Sequence, residues 1–521
     1  MKSYRNLYII GAIVVFLIVF GLYRTVSFED ILYKVGVYDD KITIAVTSDV
    51  HGHIIYEDNS WGQYTSEDIY GVMGLPTVKG LFNEIQKKNK NSLILDCGDM
   101  FHGTNEALID DGEGIVQIAN KMGYTAGALG SNDFNFGYER LLQIRDELKY
   151  PILCANIYVD NERLFEPYQL VTVGDKTIGL MGLTNPEVYK TAVLRDVEGF
   201  TTTDPVEEAK KMVQELRDKA DVVVLLSYLG DNKDTELIKQ VDGIDLVLSA
   251  RRHNLYTRAV KVNDTYIAEA GAWTTHLGIT NIYMKDNKVK KITWKVKSTK
   301  KKSYADQDMT EIADKYHTKA LAYAEEVLGN TKVELDGKRI NIRTSETNFG
   351  DLLADAMKAE GEADIAIVNG GAIRESIEAG EVNMYQIQKA LPFANALMTI
   401  EASGKTIRQA LERGVKKYPD AKNGAFLQVS GLTYTINASE NAGSRIEEVY
   451  VGEELLQDEK MYKLAISDYL YYGGDDYEEF EACEIIDTSN LLSDVLASYI
   501  KDKKEISSVE GGRINVVKKR Y

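Results

Sequence analysis

Short apolar runs alternate with amphipathic helical segments along most of this chain, and this alternation is the feature that most restricts its fold. Runs rich in Val, Ile and Leu that alternate with helices are typical of an α/β fold. Because open α/β sheets place their sites at the carboxyl ends of strands, we expect the polar motifs that follow the runs to meet. The runs are residues 42–47, 92–96, 125–130, 221–227 and 245–249.

The length and charge of the chain limit its organisation and its partners. A single core stops growing near about 250–300 residues, so 521 residues predict at least two domains. The formal net charge is −19, and a surface of that sign repels phosphate backbones, so no nucleic-acid polymer is expected as a partner. Cys97, Cys154 and Cys483 are far apart in sequence, which excludes a zinc knuckle and predicts no disulfide framework.

An uncharged apolar run over residues 7–23 follows Lys2 and Arg5 near the amino terminus. Its length is about the minimum for a spanning helix. The positive residues before it favour a cytoplasmic amino terminus, with everything after Arg24 outside. A cleaved signal peptide is the alternative, but the sequence F-G-L-Y-R-T at the exit lacks a small-residue cleavage site. We therefore expect a single-pass protein of the cell membrane whose bulk is extracytoplasmic.

Composition and patterning divide the rest of the chain into successive segments. Residues 304–328 contain few helix breakers and follow a lysine-rich turn, so they are predicted to form a linker helix. The predicted division is a membrane anchor (1–24), a stalk (25–40), a first domain (41–300), a helical linker (301–335), a second domain (336–515) and a basic tail (516–521).

Four motifs in the first domain carry the residue types that bind divalent metals. They are T-S-D-V-H-G-H at 47–53, D-C-G-D at 96–99, L-G-S-N-D-F-N-F-G at 129–137 and S-A-R-R-H at 249–253. In order and spacing they resemble the calcineurin-like metallophosphoesterase domain of the 5'-nucleotidase family. The pattern of that family runs D-x-H, G-D, G-N-H-[DE], a lone His, then G-H-x-[HQ]. The resemblance implies an α/β (α+β) fold with a four-layer metallophosphoesterase sandwich, a linker helix and a 5'-nucleotidase C-terminal α/β domain.

The resemblance assigns a complete first metal site. The residues at the family's ligand positions are Asp49, His51, Asp99 and His253, and carboxylate and imidazole both suit a divalent cation. We therefore expect one ion of Mn, Zn, Fe or Co.

The second metal site of the family is overwritten here. It would share Asp99, but its other ligand positions hold Ser131, Tyr228 and Arg251, so a second metal is not expected. Asn132 stands where the family has its catalytic His, unless an inserted residue shifts it into the ligand position. Arg251 could take the place of the second metal as a phosphate-binding cation, or it could merely pair with Asp99.

Two further histidines lie close to these motifs. His53 directly follows D-V-H-G, and His102 lies in the loop after G-D. Either could contact phosphate or restore a proton donor, and the alternative is a solvated loop histidine.

The second domain resembles the substrate-binding domain of the same family over residues 336–515. The motifs that carry this resemblance are I-R-T-S-E-T-N-F-G-D-L-L-A-D-A at 342–356, A-D-I-A-I-V-N-G-G-A-I-R-E-S-I at 363–377, L-P-F-A-N at 391–395, F-L-Q-V-S-G at 426–431 and S-D-Y-L-Y-Y-G-G-D-D-Y at 467–477.

The family's roles transfer to matching positions in these motifs. Phe393 and Tyr469 would sandwich a base, each stack contributing about 1–3 kcal/mol, although both could instead be ordinary core aromatics. Asp475 would accept the ribose hydroxyls. The residues expected to hold and shape the oxygen-binding turn are Arg343, Arg374, Asn369, Gly370 and Gly371.

Three functional hypotheses follow from the sequence. The first is a nucleotide- or nucleoside-binding surface protein whose phosphoester hydrolysis is weak or lost, and the retained second domain favours it. The second is a nucleotidase or phosphodiesterase that uses one metal together with Arg251. The third is a surface scaffold that binds neither nucleotide nor metal.

Overall fold

The computed structural model describes residues 27–57, 71–190, 197–393 and 395–517. The apolar run at 7–23 and residues 518–521 of the predicted basic tail lie outside the described residues, whereas residues 516 and 517 belong to strand β27 (Ile514–Val517) and not to a tail. Among the residues that are described, no helix has both the length and the apolar composition needed to cross a membrane.

The N-terminal part is built on two six-stranded sheets. Their strand orders are β15-β14-β1-β2-β3-β4 and β12-β13-β11-β10-β8-β7, and β5, β6 and β9 form a small third sheet. The strands are β1 (Asp40–Thr47), β2 (Ser92–Asp96), β3 (Ala126–Ala128), β4 (Ile152–Leu153), β5 (Ile157–Val159), β6 (Glu162–Arg163), β7 (Tyr168–Val173), β8 (Lys176–Thr184), β9 (Phe200–Thr202), β10 (Val222–Tyr228), β11 (Leu246–Ser249), β12 (Val260–Val262), β13 (Thr265–Glu269), β14 (Leu277–Lys285) and β15 (Lys288–Lys297).

Helices cover the outer face of each large sheet, which gives the four layers expected from the sequence. Side chains alternate across a strand, so Ala45 packs in the core beneath the helices whereas Ile44 and Val46 pack between the two sheets. Val224 and Leu225 of β10 divide in the same way. The helices are α1 (Phe28–Lys34), α2 (Gly74–Lys88), α3 (Asn105–Leu108), α4 (Glu113–Met122), α5 (Tyr138–Glu147), α6 (Pro205–Leu216) and α7 (Asp231–Ile238).

Part of the segment expected to be a stalk is helical and packs on the sheet. Ser27 caps α1 by accepting a hydrogen bond from the Asp30 N–H at 3.1 Å. Tyr283 of β14 donates to the Asp30 carboxylate at 2.9 Å. The helix is therefore stabilised by its N-cap and by this tertiary contact.

The linker helix is shorter than the sequence predicts. It is α8 (Gln307–Ala324), which begins after the cap Asp306, and residues 327–331 form strand β16 instead of a last helical turn. A Cβ at Gly329 would lie 2.9 Å from both Ile500 and the Lys504 carbonyl oxygen. The close approach that Gly329 permits explains why this segment joins the sheet of the C-terminal part.

The C-terminal part contains three sheets, with strand orders β20-β17-β24-β19-β25, β23-β22-β21-β27 and β18-β16-β26. Its strands are β16 (Val327–Thr331), β17 (Ile365–Asn369), β18 (Gly380–Asn383), β19 (Ala396–Ser403), β20 (Leu427–Ser430), β21 (Leu432–Asn437), β22 (Ile446–Val451), β23 (Glu454–Leu455), β24 (Met461–Ser467), β25 (Glu484–Leu491), β26 (Glu505–Ile506) and β27 (Ile514–Val517). Its helices are α9 (Arg339–Ile342), α10 (Asn348–Glu360), α11 (Met384–Ala390), α12 (Gly404–Gly414), α13 (Asp468–Tyr471) and α14 (Leu492–Lys503).

Candidate metal centre and anion pocket

Three of the four predicted first-site ligands converge after the carboxyl ends of β1 and β11. The ligand atoms of Asp49, His51 and His253 all lie within 4.8 Å of one another. The fourth residue, Asp99, follows β2, and its Oδ2 lies 3.6 Å from His51 Nε2. The expected meeting of strand ends therefore holds for this set.

The backbone at these residues is held in an unfavourable conformation. The φ angles of Asp49, His51, Asp99, Arg251 and His253 are 48°, 49°, 51°, 85° and 58°. Residues other than glycine rarely adopt this left-handed region, which costs on the order of 1–3 kcal/mol per residue and is concentrated at functional sites. This strain supports a functional role for the cluster.

Hydrogen bonds orient His51 towards a ligand. Its Nδ1–H donates to the carbonyl oxygen of His102 at 3.3 Å, which leaves the lone pair on Nε2. That Nε2 atom is buried and has no hydrogen-bond partner. A backbone partner on one ring nitrogen is the usual way in which a metal-binding histidine is fixed.

The electrostatics of the cluster also fit a cation. Burial, together with the nearby carboxylates of Asp99 and Glu269, raises the pKa of Asp49 well above its usual value. Burial lowers the pKa of His51, and it lowers that of His253 to about 3, so both imidazoles are neutral and able to bind metal. Asp49, His51, His253 and Asp99 therefore fit one divalent ion.

The residues around Asp99 do not fit a second ion. Asp99 Oδ2 accepts hydrogen bonds from Asn132 Nδ2 at 2.8 Å and from the Tyr228 hydroxyl, and Oδ1 accepts from the Asn132 backbone N–H at 2.7 Å. Burial and nearby Asp99 raise the pKa of Tyr228 well above its usual value, so it remains a neutral donor. The Oγ of Ser131 is buried without a hydrogen-bond partner.

Arg251 makes contacts that the sequence did not predict, and no ion pair with Asp99 is found among the described residues. Its backbone N–H donates to both Asp49 carboxylate oxygens, at 3.1 and 3.2 Å. Its guanidinium donates to the Leu229 carbonyl oxygen at 3.3 Å and to the hydroxyl of Tyr472, and it lies 4.6 Å from the Tyr472 ring centroid. The side chain thus joins the N-terminal centre to the C-terminal part.

The two extra histidines are not solvated loop residues. His102 is buried, packs against Phe136 at 4.9 Å and accepts from Asn135 Nδ2 at 3.4 Å. His53 is half-buried, with its Nδ1 3.0 Å from the Val50 carbonyl oxygen. Burial lowers their pKa values to about 3 and about 4, so both imidazoles are uncharged at neutral pH and neither is an imidazolium acid.

In the C-terminal part, Asp475 and Asn369 lie together. Asn369 Nδ2 donates to Asp475 Oδ2 at 2.7 Å, which fixes the carboxylate. A Cβ at Gly371 would lie 2.9 Å from Asn369 Nδ2, so only glycine allows this approach. The Arg374 guanidinium donates weakly to the Gly371 carbonyl oxygen at 3.5 Å.

Three arginines, Arg339, Arg343 and Arg374, lie near this pair; Asp475 acts electrostatically on Arg343, and none of the three makes an ion pair among the described residues. Burial, followed by repulsion from Arg339 and Arg374, lowers the pKa of Arg343, and burial with Arg339 lowers that of Arg374. The Nε of Arg343 is buried without a hydrogen-bond partner. Guanidinium groups that repel one another favour a bound anion, so these three arginines with Asp475 and Asn369 form a candidate anion site, which we call the anion pocket.

The two predicted stacking rings flank the pocket in different ways. Phe393 lies against the Arg374 guanidinium, 5.4 Å from ring centroid to carbon. Tyr469 is 42% exposed, and its hydroxyl accepts the Asp475 N–H at 3.2 Å. Neither ring is in a buried core, which argues against the alternative interpretation of both as core aromatics.

The sequence interpretation missed three residues of these sites. Arg339 is the first residue of α9 and stands one helical turn before Arg343, the C-cap of that helix, and this spacing is a usable signal. Asp133 is buried and accepts four backbone N–H groups, from Asp99, Met100, Phe101 and Gly130, at 2.8–3.1 Å. The third is Tyr472, whose partner is more than two hundred residues away, so no local signal marks it.

Comparison with known families assigns both halves of the chain. Residues 42–253 match the family described as calcineurin-like phosphoesterase. Residues 327–482 match the 5'-nucleotidase C-terminal domain. The two matched regions contain the candidate metal centre and the anion pocket.

Similar proteins are known from bacteria. The chain is 26% identical to protein UshA of Escherichia coli, over 88% of this chain and 91% of UshA. It is also 26% identical to the trifunctional nucleotide phosphoesterase protein YfkN of Bacillus subtilis, over 93% of this chain but about a third (35%) of YfkN. A crystal structure of a 5'-nucleotidase precursor from Thermus thermophilus superposes with a TM-score of 0.60 and 27% identity, covering 92% of this chain and 99% of that one.

Proposed function

This chain belongs to the 5'-nucleotidase family, and on that premise we propose that it binds nucleotides or nucleosides while its phosphoester hydrolysis is weak or lost. The anion pocket carries the binding half of the proposal. Arg339, Arg343 and Arg374 supply cationic donors for phosphate oxygens, and Asp475, fixed by Asn369, supplies an acceptor for ribose hydroxyls.

The state of Asp99 is the observation that carries the loss of hydrolysis. Its carboxylate would have to bridge two metals, but its oxygens accept hydrogen bonds from Asn132 and Tyr228. Asn132 also stands where a proton donor to the leaving oxygen is needed, and an amide does not supply that proton.

One divalent ion is part of the proposal, held by Asp49, His51, Asp99 and His253. When bound, it would act as a Lewis acid towards a phosphoryl oxygen. The protein itself holds both imidazoles neutral and keeps the Asp49 carboxylate in place through the Arg251 backbone N–H.

A hydrolase that uses this one ion remains the second candidate. The unpartnered His51 Nε2 favours it, because that atom is directed at a ligand position within a strained loop. The Arg251 side chain does not favour it, because its guanidinium is already engaged by Tyr472 and the Leu229 carbonyl.

We also propose that the protein is anchored in the cell membrane by residues 7–23, with the described residues on the extracytoplasmic side. The support is the uncharged run after Lys2 and Arg5 and the lack of a cleavage site at its end.

Calorimetry of the full chain with AMP and adenosine tests the binding half. We expect saturable binding that Phe393→Ala weakens by about 1–3 kcal/mol, whereas Tyr450→Ala on β22 leaves it unchanged. If no heat of binding is measured at millimolar adenosine, the hypothesis of a scaffold that binds neither nucleotide nor metal is favoured. Hydrolysis is tested by phosphate release from AMP in Mn²⁺, Co²⁺ or Zn²⁺. A rate typical of nucleotidases that Asp99→Asn abolishes would contradict the loss of hydrolysis and favour the one-metal hydrolase.

A further inference from the structure

A lysine-rich surface lies along the edge strand β15, the β14–β15 turn and the loop after β15. Residues 285–302 contain nine lysines and a single acid, Asp286, in a chain whose formal net charge is −19. We call the seven of these lysines that make no ion pair among the described residues the lysine edge: Lys288, Lys290, Lys291, Lys295, Lys300, Lys301 and Lys302.

Two acids near the lysine edge are already paired with lysines, and Asp286 is the one acid within residues 285–302. Asp39 pairs with Lys285 at 2.7 Å, and Glu84 pairs with Lys88 at 2.5 Å and with Lys297 at 2.7 Å. The positive charge of the lysine edge is therefore not compensated by ion pairs and is available to a negatively charged partner.

The lysine edge lies beside the first described residues. Lys291 is directly opposite Tyr283 across the β14–β15 pair, and Tyr283 bonds to Asp30 on α1. The apolar run ends at Tyr23, and the four peptide units from there to Ser27 span at most about 15 Å. A membrane that holds residues 7–23 would therefore place its headgroups close to the lysine edge, within roughly one or two Debye lengths.

Helix α1 adds apolar side chains to the same region. It buries none of its residues. Phe28 is 53% exposed, and Val35 and Val37, just after the helix, are 67% and 47% exposed. Exposed apolar groups beside lysines are typical of segments that lie in a membrane interface.

We propose that the lysine edge, together with the apolar residues of α1, binds anionic lipid headgroups of the membrane in which residues 7–23 are anchored. The proposal rests on the anchor and extends it, because it gives the N-terminal domain a fixed face towards the bilayer. Phosphate-bearing headgroups have the charge that complements this surface, and each lysine near such a membrane strengthens the attraction.

Lysine labelling of the full chain in vesicles tests the proposal. The vesicles are either phosphatidylcholine alone or equal parts of phosphatidylcholine and phosphatidylglycerol, and a water-soluble amine reagent is followed by peptide mass spectrometry. We expect labelling of the lysine edge to fall at least about threefold in the anionic vesicles, and to recover in about 1 M salt, where the Debye length is about 3 Å.

A charge-neutralised variant gives the matched comparison. Lys288, Lys290, Lys300 and Lys301 are changed together to Gln, and protection of Lys291, Lys295 and Lys302 is expected to disappear. In a control variant, four exposed lysines elsewhere, which also lack an ion pair among the described residues, are changed to Gln. Because this variant loses the same charge away from the lysine edge, protection of the lysine edge is expected to persist. The control positions are Lys405, Lys416, Lys417 and Lys422.

Equal labelling in the two kinds of vesicle would overturn the proposal. The lysines would then be explained as charges that prevent another strand from pairing with the exposed edge of β15. Protection by soluble polyphosphate but not by phosphatidylglycerol would also overturn it. Failure of the anchor is seen separately: the chain would not float with phosphatidylcholine vesicles, yet at low salt it would still float with anionic vesicles if the lysine edge binds headgroups.

Discussion

Asp99 is the residue on which the proposal of a single metal ion rests. Neutral donors, the amide of Asn132 and the phenol of Tyr228, both bond to its Oδ2 atom. The other half of the centre keeps two neutral imidazoles and the buried carboxylate of Asp49.

The first prediction is that the full chain holds at most one divalent ion with meaningful affinity. Ser131, Tyr228 and Arg251 are not metal ligands at neutral pH, so elemental analysis after dialysis should give a ratio near one. Asp49→Asn should abolish loading, whereas His317→Ala, on α8 outside the cluster, should leave it intact. Two tightly held metals per chain would contradict this prediction.

The second prediction concerns restoration of catalysis. AMP hydrolysis should be several orders of magnitude slower than in an intact family member, because the missing proton donor at Asn132 alone costs about 10²–10⁴-fold. Reverting the four positions should raise metal loading and turnover together. A variant that gains a second metal without faster phosphate release would show that the pocket has changed in other ways. The substitutions are Asn132→His, Ser131→Asn, Tyr228→His and Arg251→His.

At the scale of elements, α8 connects the two halves through polar contacts with α3. His317 on α8 bonds to the Glu106 carboxylate at 2.7 Å. On the same short helix, Asn105 exchanges two hydrogen bonds with Gln388 of α11, each at 2.6 Å. Helix α3 is therefore a contact point for both the linker and the C-terminal part.

The third prediction is a pH dependence of this contact. The hydrogen bond to Glu106 raises the pKa of His317, which also faces Glu57 and Asp314. A raised folded-state pKa gives stability that is fully present below about pH 6.5 and is lost as pH rises through the folded value. His317→Gln should lower the melting temperature by at most a few degrees at pH 6, since half-exposed pairs contribute about 1 kcal/mol or less. An equal decrease at pH 9 would contradict the prediction.

At the scale of the whole molecule, one segment of the chain, α13 with the turn that follows it, connects the two sites. This segment presents Tyr472 to Arg251 of the N-terminal centre, and it also carries Tyr469 and Asp475 of the anion pocket. A guanidinium and a phenol ring in this geometry contribute up to about 2 kcal/mol when desolvated. The relative position of the halves and the accessibility of the centre are therefore coupled.

The fourth prediction follows from that coupling. Tyr472→Ala removes both the ring and the hydroxyl, so more extended arrangements should become populated, seen as a larger radius of gyration in small-angle scattering. Tyr472→Phe keeps the ring and should give a smaller change. Tyr450→Ala serves as the control. An unchanged scattering profile for Tyr472→Ala would show that other contacts hold the halves together.

Sequence alone determined the α/β layers and the family of the chain, and it predicted four first-site ligand positions, of which the structure brings Asp49, His51 and His253 within 4.8 Å of one another. The periodicity of apolar residues and the spacing of motifs are local properties of the sequence. For this reason the strands β1, β2, β10 and β11 lie within one or two residues of the apolar runs that predicted them. Sequence also predicted the linker helix, but not the strand at 327–331, because the fit of Gly329 against α14 is a tertiary contact.

Only the tertiary structure decided which contacts are made by the residues that differ from the family's metal-binding pattern. Arg251 meets Tyr472, and Tyr228 meets Asp99, across separations of 221 and 129 residues. The position of the lysine edge beside α1 likewise depends on the pairing of β14 with β15 and on the Tyr283 contact. Such contacts depend on how distant elements pack, and no local pattern in the sequence specifies that packing.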